Sequence, residues 1–315
     1  MREIIIFDGA MGTELMKYGL KWGQCAEAFN IHKPEVIKDI HKRYLEAGAD
    51  IITTNTFGAN SANLSKKGYE VEAIIKRALK LANEAVEEYK VQEGIENQHR
   101  GSIEVESCEK PNRILGSRIH SLLEEKKKLV AFDLGPTAML PPYGNMSEEE
   151  VEALFEEQVI SADKDLYDIV LIETMLSLKE CILAIKAVKK HCDKPIICTF
   201  TFSEEGETLS NESIEDIVSE LSKFNIDSLG ANCSFGPIGM QKIAKEFLKS
   251  TELPIIVQPN AGLPKKVNNQ NVYDMTPEEF KGAIIPMIDE GISIIGGCCG
   301  TNYEYIKELA TIREK

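Results

Sequence analysis

Positive charge is in short supply in this chain. Against 51 aspartates and glutamates stand 36 lysines and arginines, a net charge of −15. That deficit opposes binding to phosphate backbones and anionic membrane surfaces, so nucleic acid and membrane are excluded as partners. No apolar run approaches the ~18 residues of a membrane span, and Glu3-Ile4-Ile5-Ile6-Phe7-Asp8 is too short for a secretory signal. A cytoplasmic protein is expected. Histidine is scarce as well: His32, His41, His99, His120 and His191 fall in predicted helices or connections, which argues against histidine acid/base chemistry. Eight cysteines in 315 residues are too scattered for a disulfide framework. Cys25, Cys108, Cys181, Cys192 and Cys198 read as small buried residues. Internal repeats and low-complexity tracts are lacking.

What the chain does have is a regular succession of short β-like runs, at residues 4–7, 50–54, 129–133, 168–173, 195–201, 227–232, 254–258 and 292–296, most followed by a helical pattern. Several are apolar throughout, as in a parallel sheet covered by helices. Helix starts are marked by two capping boxes, Ser147-Glu148-Glu149-Glu150 and Thr276-Pro277-Glu278-Glu279, the latter with proline at the first helical position. Eight β-then-α units predict an α/β protein with a closed (β/α)8 TIM barrel; an open doubly wound sheet has fewer strands and leaves edges. Residues 1–315 are read as one domain. A polar segment at about 91–118 is an insertion ahead of the third strand, read as a solvated excursion followed by a short helix with Leu115, Ile119, Leu122 and Leu123 as its apolar stripe.

In such a barrel, chemistry sits at the C-terminal ends of the strands. The sixth strand ends in Asn232-Cys233 and the eighth in Gly296-Gly297-Cys298-Cys299-Gly300-Thr301, so three cysteines meet at the catalytic end and the other five do not. Thiolates in a tetrahedral cage favour zinc, with a fourth position open to substrate. Three thiolates leave Zn²⁺ a poor activator of water but able to hold a substrate thiol as thiolate. The chemistry expected is alkyl transfer to a thiol. Asp8 and Glu173, at the ends of strands one and four, suit an α-ammonium group. Backbone N–H groups of the first loop, Asp8-Gly9-Ala10-Met11-Gly12-Thr13, and of the second, Thr53-Thr54-Asn55-Thr56, suit an α-carboxylate.

Together these motifs resemble the homocysteine S-methyltransferase family, zinc-dependent barrel enzymes that include the homocysteine domain of cobalamin-dependent methionine synthase and betaine–homocysteine methyltransferase. The resemblance runs from Asp8-Gly9-Ala10-Met11-Gly12-Thr13 to Gly296-Gly297-Cys298-Cys299-Gly300-Thr301. It implies Cys233, Cys298 and Cys299 as zinc ligands and catalytic residues, with homocysteine held by Asp8, Glu173 and the chain around Gly9, Ala10, Thr54 and Asn55. Gly135-Pro136-Thr137, Pro141-Pro142-Tyr143-Gly144 and Pro259-Asn260-Ala261-Gly262 resemble the methionine-synthase branch. That branch implies Asn260 as a provisional fourth zinc ligand and methylcobalamin as methyl source. The betaine branch has a tyrosine where this chain has Gly58. Because the sequence stops at Lys315, the resemblance implies a separate corrinoid protein as partner, for which the 91–118 insertion is a candidate docking segment. Other readings keep the barrel but take S-methylmethionine, S-adenosylmethionine or betaine as donor, or another small thiol as acceptor. A different class is a zinc- or thiol-binding module without turnover.

Overall fold

Eight short segments lie side by side in parallel because nearly every residue in them is buried, on one face against the helices and on the other against each other. A computed structural model describes residues 3–21, 23–94, 113–115, 117–267 and 270–314. Its barrel strands, numbered one to eight, are Ile5–Ile6, Ile51–Thr53, Leu129–Leu134, Ile169–Met175, Ile196–Phe200, Ser228–Asn232, Ile255–Gln258 and Ile294–Ile295. They pair in the order one, eight, seven, six, five, four, three, two. The ring closes where Phe7 bridges Ile51 in parallel, with Asp8 N donating to Ile51 O at 3.0 Å and Asp50 N to Ile6 O at 2.7 Å. Closure decides for the (β/α)8 barrel over the open sheet.

The two-residue period of a strand splits the apolar residues into two cores. Ile5, Phe7, Leu129, Ala131, Ile169, Leu171, Ile197, Ile256 and Ile294 fill the barrel interior, while Ile6, Val130, Phe132, Val170 and Ile172 join the helix-facing layer. Full burial of such side chains contributes about 1.5–3 kcal/mol each. On strand six the interior position is Gly230, paired with Ile256; a Cβ there would lie 1.8 Å from the Ile256 carbonyl oxygen. Both expected capping boxes form, Ser147 with Glu150 and Thr276 with Glu279.

The stretch ahead of strand three serves the opposite end of the barrel from the three cysteines. Residues 95–112 and 116 of the expected insertion, with Cys108 and His99 among them, lie outside the described residues. After them, Ile114 and the helix Arg118–Lys126 pack Ile119, Leu122 and Leu123 into the floor of the inner core. Leu115, expected in that stripe, is instead 42% exposed, and Ile114 is the buried residue. Polar anchors tie this plug to the N-terminal ends of the strands. Arg113 donates to the Thr251 and Leu248 carbonyls, Arg118 pairs with Asp227 at 3.3 Å, and Lys126 with Asp168 at 2.7 Å. Another feature lies outside the expected pattern: a short antiparallel hairpin, Lys265–Val267 with Gln270–Val272, in the loop after strand seven. Among the described residues no helix is long and apolar enough to cross a membrane.

Candidate metal centre and acceptor site

Strands six and eight each end in a turn that aims sulfur at one point. Cys233 has φ of 55°, a left-handed conformation that non-glycine residues adopt only at a cost. Its N–H is held by Gln258 O at 3.2 Å. Across the mouth, Cys298 N donates to Pro259 O at 2.8 Å and Ala261 N to Cys299 O at 2.9 Å, so loop seven fixes the cysteine pair. Thr301 closes the turn by donating its hydroxyl to Cys298 O at 2.7 Å. Gly300, between Cys299 and Thr301, needs its φ of 85°, and a Cβ there would run into the Tyr273 ring.

The outcome is three ligand atoms within 4.8 Å of one another, with the Cys233 and Cys299 sulfurs 3.5 Å apart. Among the described residues this is the one cluster of three or more potential metal ligands. The sulfurs share protons: hydrogen bonds from Cys233 and Cys298 pull the Cys299 thiol down to about 3, whereas its own bonds to Cys233 and Cys299, with burial, push Cys298 well up. One sulfur is thus already disposed to be a thiolate. The donor set, three soft sulfurs at partial exposure, fits a zinc ion with an open face. Asn260 lies against the Cys233 backbone. Its Nδ2 donates to Cys233 O at 3.1 Å, while its Oδ1 is buried without a partner among the described residues.

Of the other expected site residues, the two acids come together. Asp8, 3% exposed, accepts from Thr53 N at 2.7 Å and from the Thr53 hydroxyl at 2.9 Å. Burial nevertheless pushes its carboxyl up to about 7. Glu173 is pushed to about 8 by burial and by the charges of Asp8 and Cys299. The strand bends to present it: pairing with strand five shifts register between Ile172 and Met175, and Thr174 takes φ of 58°. A register shift of this kind re-aims a side chain.

Asn232, one residue before Cys233, holds that bend. It donates to Glu173 Oε2 at 2.9 Å and to the Thr174 hydroxyl at 2.7 Å, and it accepts from Thr174 N and the Thr199 hydroxyl, each at 3.0 Å. This positioning residue was not anticipated, and its place beside Cys233 was the only signal. Asp133, at the end of strand three, was likewise passed over.

The remaining expected residues are engaged within the protein. Ala10 N donates to the Thr301 hydroxyl at 3.2 Å and Thr54 N to Ala131 O at 2.9 Å. The Asn55 amide bonds Ala26 O at 2.9 Å and Asn30 Oδ1 at 3.1 Å, pinning the loop after strand one. Gly9 packs so closely that a Cβ would lie 2.9 Å from both Thr301 and Tyr44. Cys25, Cys181, Cys192 and Cys198 are buried and no part of the cluster, as expected. His32, His41, His120 and His191 also stay outside it.

A closed (β/α)8 barrel whose C-terminal mouth holds three convergent thiols beside buried carboxyls defines a class of thiol-handling barrel proteins. The chain belongs to the homocysteine S-methyltransferase family, whose sequence model matches residues 5–312. It is 29% identical over 324 aligned positions to the methionine synthase of Mycobacterium leprae (strain TN), and 28% identical over 321 to that of Mycobacterium tuberculosis (strain ATCC 25618 / H37Rv). Each alignment takes in 98% of this chain but 24% of the relative, so the chain spans about a quarter of those proteins' length. Among solved structures, the metallated form of the homocysteine methyltransferase MmuM from Escherichia coli superposes with a TM-score of 0.75 at 22% identity, covering 98% of this chain and 96% of that one. Its oxidized form gives 0.76 at 21%. At these identities the likeness bears on the fold.

Proposed function

We propose that this chain is a zinc-dependent homocysteine S-methyltransferase of the methionine-synthase type, forming methionine with a methyl group brought by a methyl-corrinoid protein. The observation that carries the reading is the three-thiol cluster opening on the mouth that also holds Asp8 and Glu173. Bound by Cys233, Cys298 and Cys299, zinc would supply the positive charge that keeps an acceptor sulfur ionised at neutral pH. The chain's own residues do the rest. Asp8 and Glu173 receive the substrate ammonium, and the N–H groups of the loops around Gly9-Ala10 and Thr54-Asn55 that Thr301 and Ala131 do not already hold take its carboxylate. Asn260, whose Oδ1 is a buried oxygen without a partner among the described residues, is the residue that would yield its place to the incoming thiol. The thiol proton leaves to solvent. The new carbon–sulfur bond forms as the bond between methyl and its carrier breaks, with the electron pair of that bond staying on the carrier.

Two features support a protein-borne donor over betaine. A side chain at Gly58 would push aside Glu27 Oε1 and Asn63 Nδ2, 2.8 and 2.7 Å from its Cβ, which bond the Gly58 N–H and carbonyl. The barrel mouth is also rimmed by exposed apolar side chains, Phe57, Tyr143, Leu209 and Leu263 on its loops and Ile238 at the start of the helix Pro237–Ser250. Between the loops after strands five, six and seven lies a cavity of about 390 Å³ lined by Phe235, Ile238, Leu263 and Met275 among others. Apolar surface around a catalytic mouth suits a macromolecular partner. By contrast, the described flanks of the 91–118 segment lie at the other end of the barrel.

The test is methionine formation from homocysteine with free methylcobalamin, with and without a zinc chelator. Turnover that the chelator abolishes is expected. Turnover with S-methylmethionine but not methylcobalamin would overturn the donor, full activity without metal would overturn the zinc, and tight zinc without methyl transfer to any thiol would leave a binding module.

A further inference from the structure

We propose that Asp133 is a third acidic residue of the acceptor subsite, the one that makes the mouth select thiols bearing a cationic amine. The inference rests on the reading of the mouth as a site for an amino-acid thiol. Asp133, the last residue but one of strand three, stands on the face that carries Leu129 and Ala131 into the barrel interior. It is 3% exposed, and its Oδ1 is buried without a hydrogen-bond donor among the described residues.

That condition sets it apart from the aspartates at the other end of the same barrel. Asp50 accepts from Ile6 N at 2.9 Å and pairs with Arg313; Asp168 accepts from Val130 N at 2.9 Å and pairs with Lys126; Asp227 accepts from Ile196 N at 2.9 Å and pairs with Arg118. Each of those three serves structure, with a backbone donor and a cation. Around Asp133 the charges that act are those of Glu173, Asp8 and Glu27, all acidic. A buried carboxyl oxygen left without a donor costs stability, a cost that a ligand bringing the donor would offset.

The donor count agrees. A primary ammonium has three N–H groups. Asp8 already accepts from Thr53 at both oxygens, and Glu173 accepts from Asn232 at one. Asp133 Oδ1 is buried with no donor among the described residues, near enough to Glu173 and Asp8 for their charges to act on it. An ammonium lodged among the three would meet one carboxyl per N–H. A thiol without an amine would leave Asp133 as it is.

The experiment is calorimetric titration of the zinc-loaded protein and its Asp133→Asn variant with homocysteine and with 4-mercaptobutanoate, the same thiol acid without the amine. Loss of one charge-assisted hydrogen bond predicts homocysteine binding weakened about ten- to a hundredfold in the variant. Zinc content and 4-mercaptobutanoate affinity should match wild type, which shows that the variant folds and keeps its metal. Unchanged homocysteine affinity, or an equal loss for both thiols, would overturn the role of Asp133 while leaving the proposed function standing. Wild-type protein that binds neither thiol would remove the functional reading and this inference with it.

Discussion

Replacing Asn232 with alanine should separate what holds the mouth from what does chemistry in it. The amide makes four hydrogen bonds within 3.0 Å, two to Thr174 and one each to Glu173 and Thr199. On truncation, Thr174 N keeps a longer contact to the Thr199 hydroxyl at 3.4 Å, so its loss is partial. The Thr199 hydroxyl can rotate but is fully buried. Glu173 loses the donor that orients it. Two such groups left under-satisfied at about 1–2 kcal/mol each put the destabilisation at roughly 2–4 kcal/mol. For a chain of this length that is a fall in Tm of about 3–6 °C. Because Asn232 does not itself bear on the thiols, zinc content should hold while KM for homocysteine rises, as Glu173 drifts from the ammonium position. Thermal unfolding, metal analysis and steady-state kinetics read the three quantities. A variant with wild-type Tm and KM would refute the idea that Asn232 fixes the bend after Glu173, and one that lost its zinc would place Asn232 in the support of Cys233.

Four further outcomes are expected. Cys298→Ser should purify without the equimolar zinc of wild type, by elemental analysis, and make no methionine, whereas Cys181→Ser, in the helix-facing core, should keep both. Gly230→Ala should cost about 3 kcal/mol in urea unfolding, the upper end of the usual overpacking range, since the new Cβ meets the Ile256 backbone oxygen. The Glu173 carboxyl, raised to about 8 by burial and neighbouring charge, stays protonated in the folded chain at pH values where the unfolded chain has released the proton. Wild type should therefore lose stability relative to Glu173→Gln as pH rises from 5 to about 8, and a constant difference would contradict the buried placement. Thr174→Gly relieves a left-handed β-branched residue but removes the acceptor of an Asn232 bond; stability should change by less than about 1 kcal/mol while homocysteine affinity falls.

The barrel was legible because its strands are buried on both faces, and a continuous apolar run such as residues 169–172 announces that burial without tertiary information. The helix starts were legible for an equally local reason, since Ser147 and Thr276 cap N–H groups three residues away. The cysteines could be placed at the mouth once the strands were numbered. What escaped depends on partners remote in sequence. Asn232 reaches Glu173 across 59 positions, and the register shift that turns Glu173 inward exists only in the pairing of strands four and five. Leu115 and Ile114 are equally apolar neighbours, and only the docking of the following helix under the barrel decides which is buried.

The two ends of the barrel spend the same residue types differently, and the difference locates function more sharply than the motifs do. At the N-terminal end, Asp50, Asp168 and Asp227 each meet a backbone N–H and a basic side chain, so their charges are neutralised within the fold. At the C-terminal end, Asp8 is raised by burial, and Asp133 and Glu173 by burial and by neighbouring acids. Two non-glycine residues with positive φ, Thr174 and Cys233, stand at that same end beside Glu173 and in the thiol cluster. Acid without counter-charge and backbone held against its preference are both unfavourable in the isolated chain. A cationic ammonium would relieve the acids and a bound metal the sulfurs. Binding should therefore stabilise this end selectively, with slower amide exchange around Glu173, Cys233 and Cys298 than around Asp168 and Asp227 when zinc and homocysteine are added. Equal slowing at both ends would mean that the acids of the mouth are no different from those of the floor.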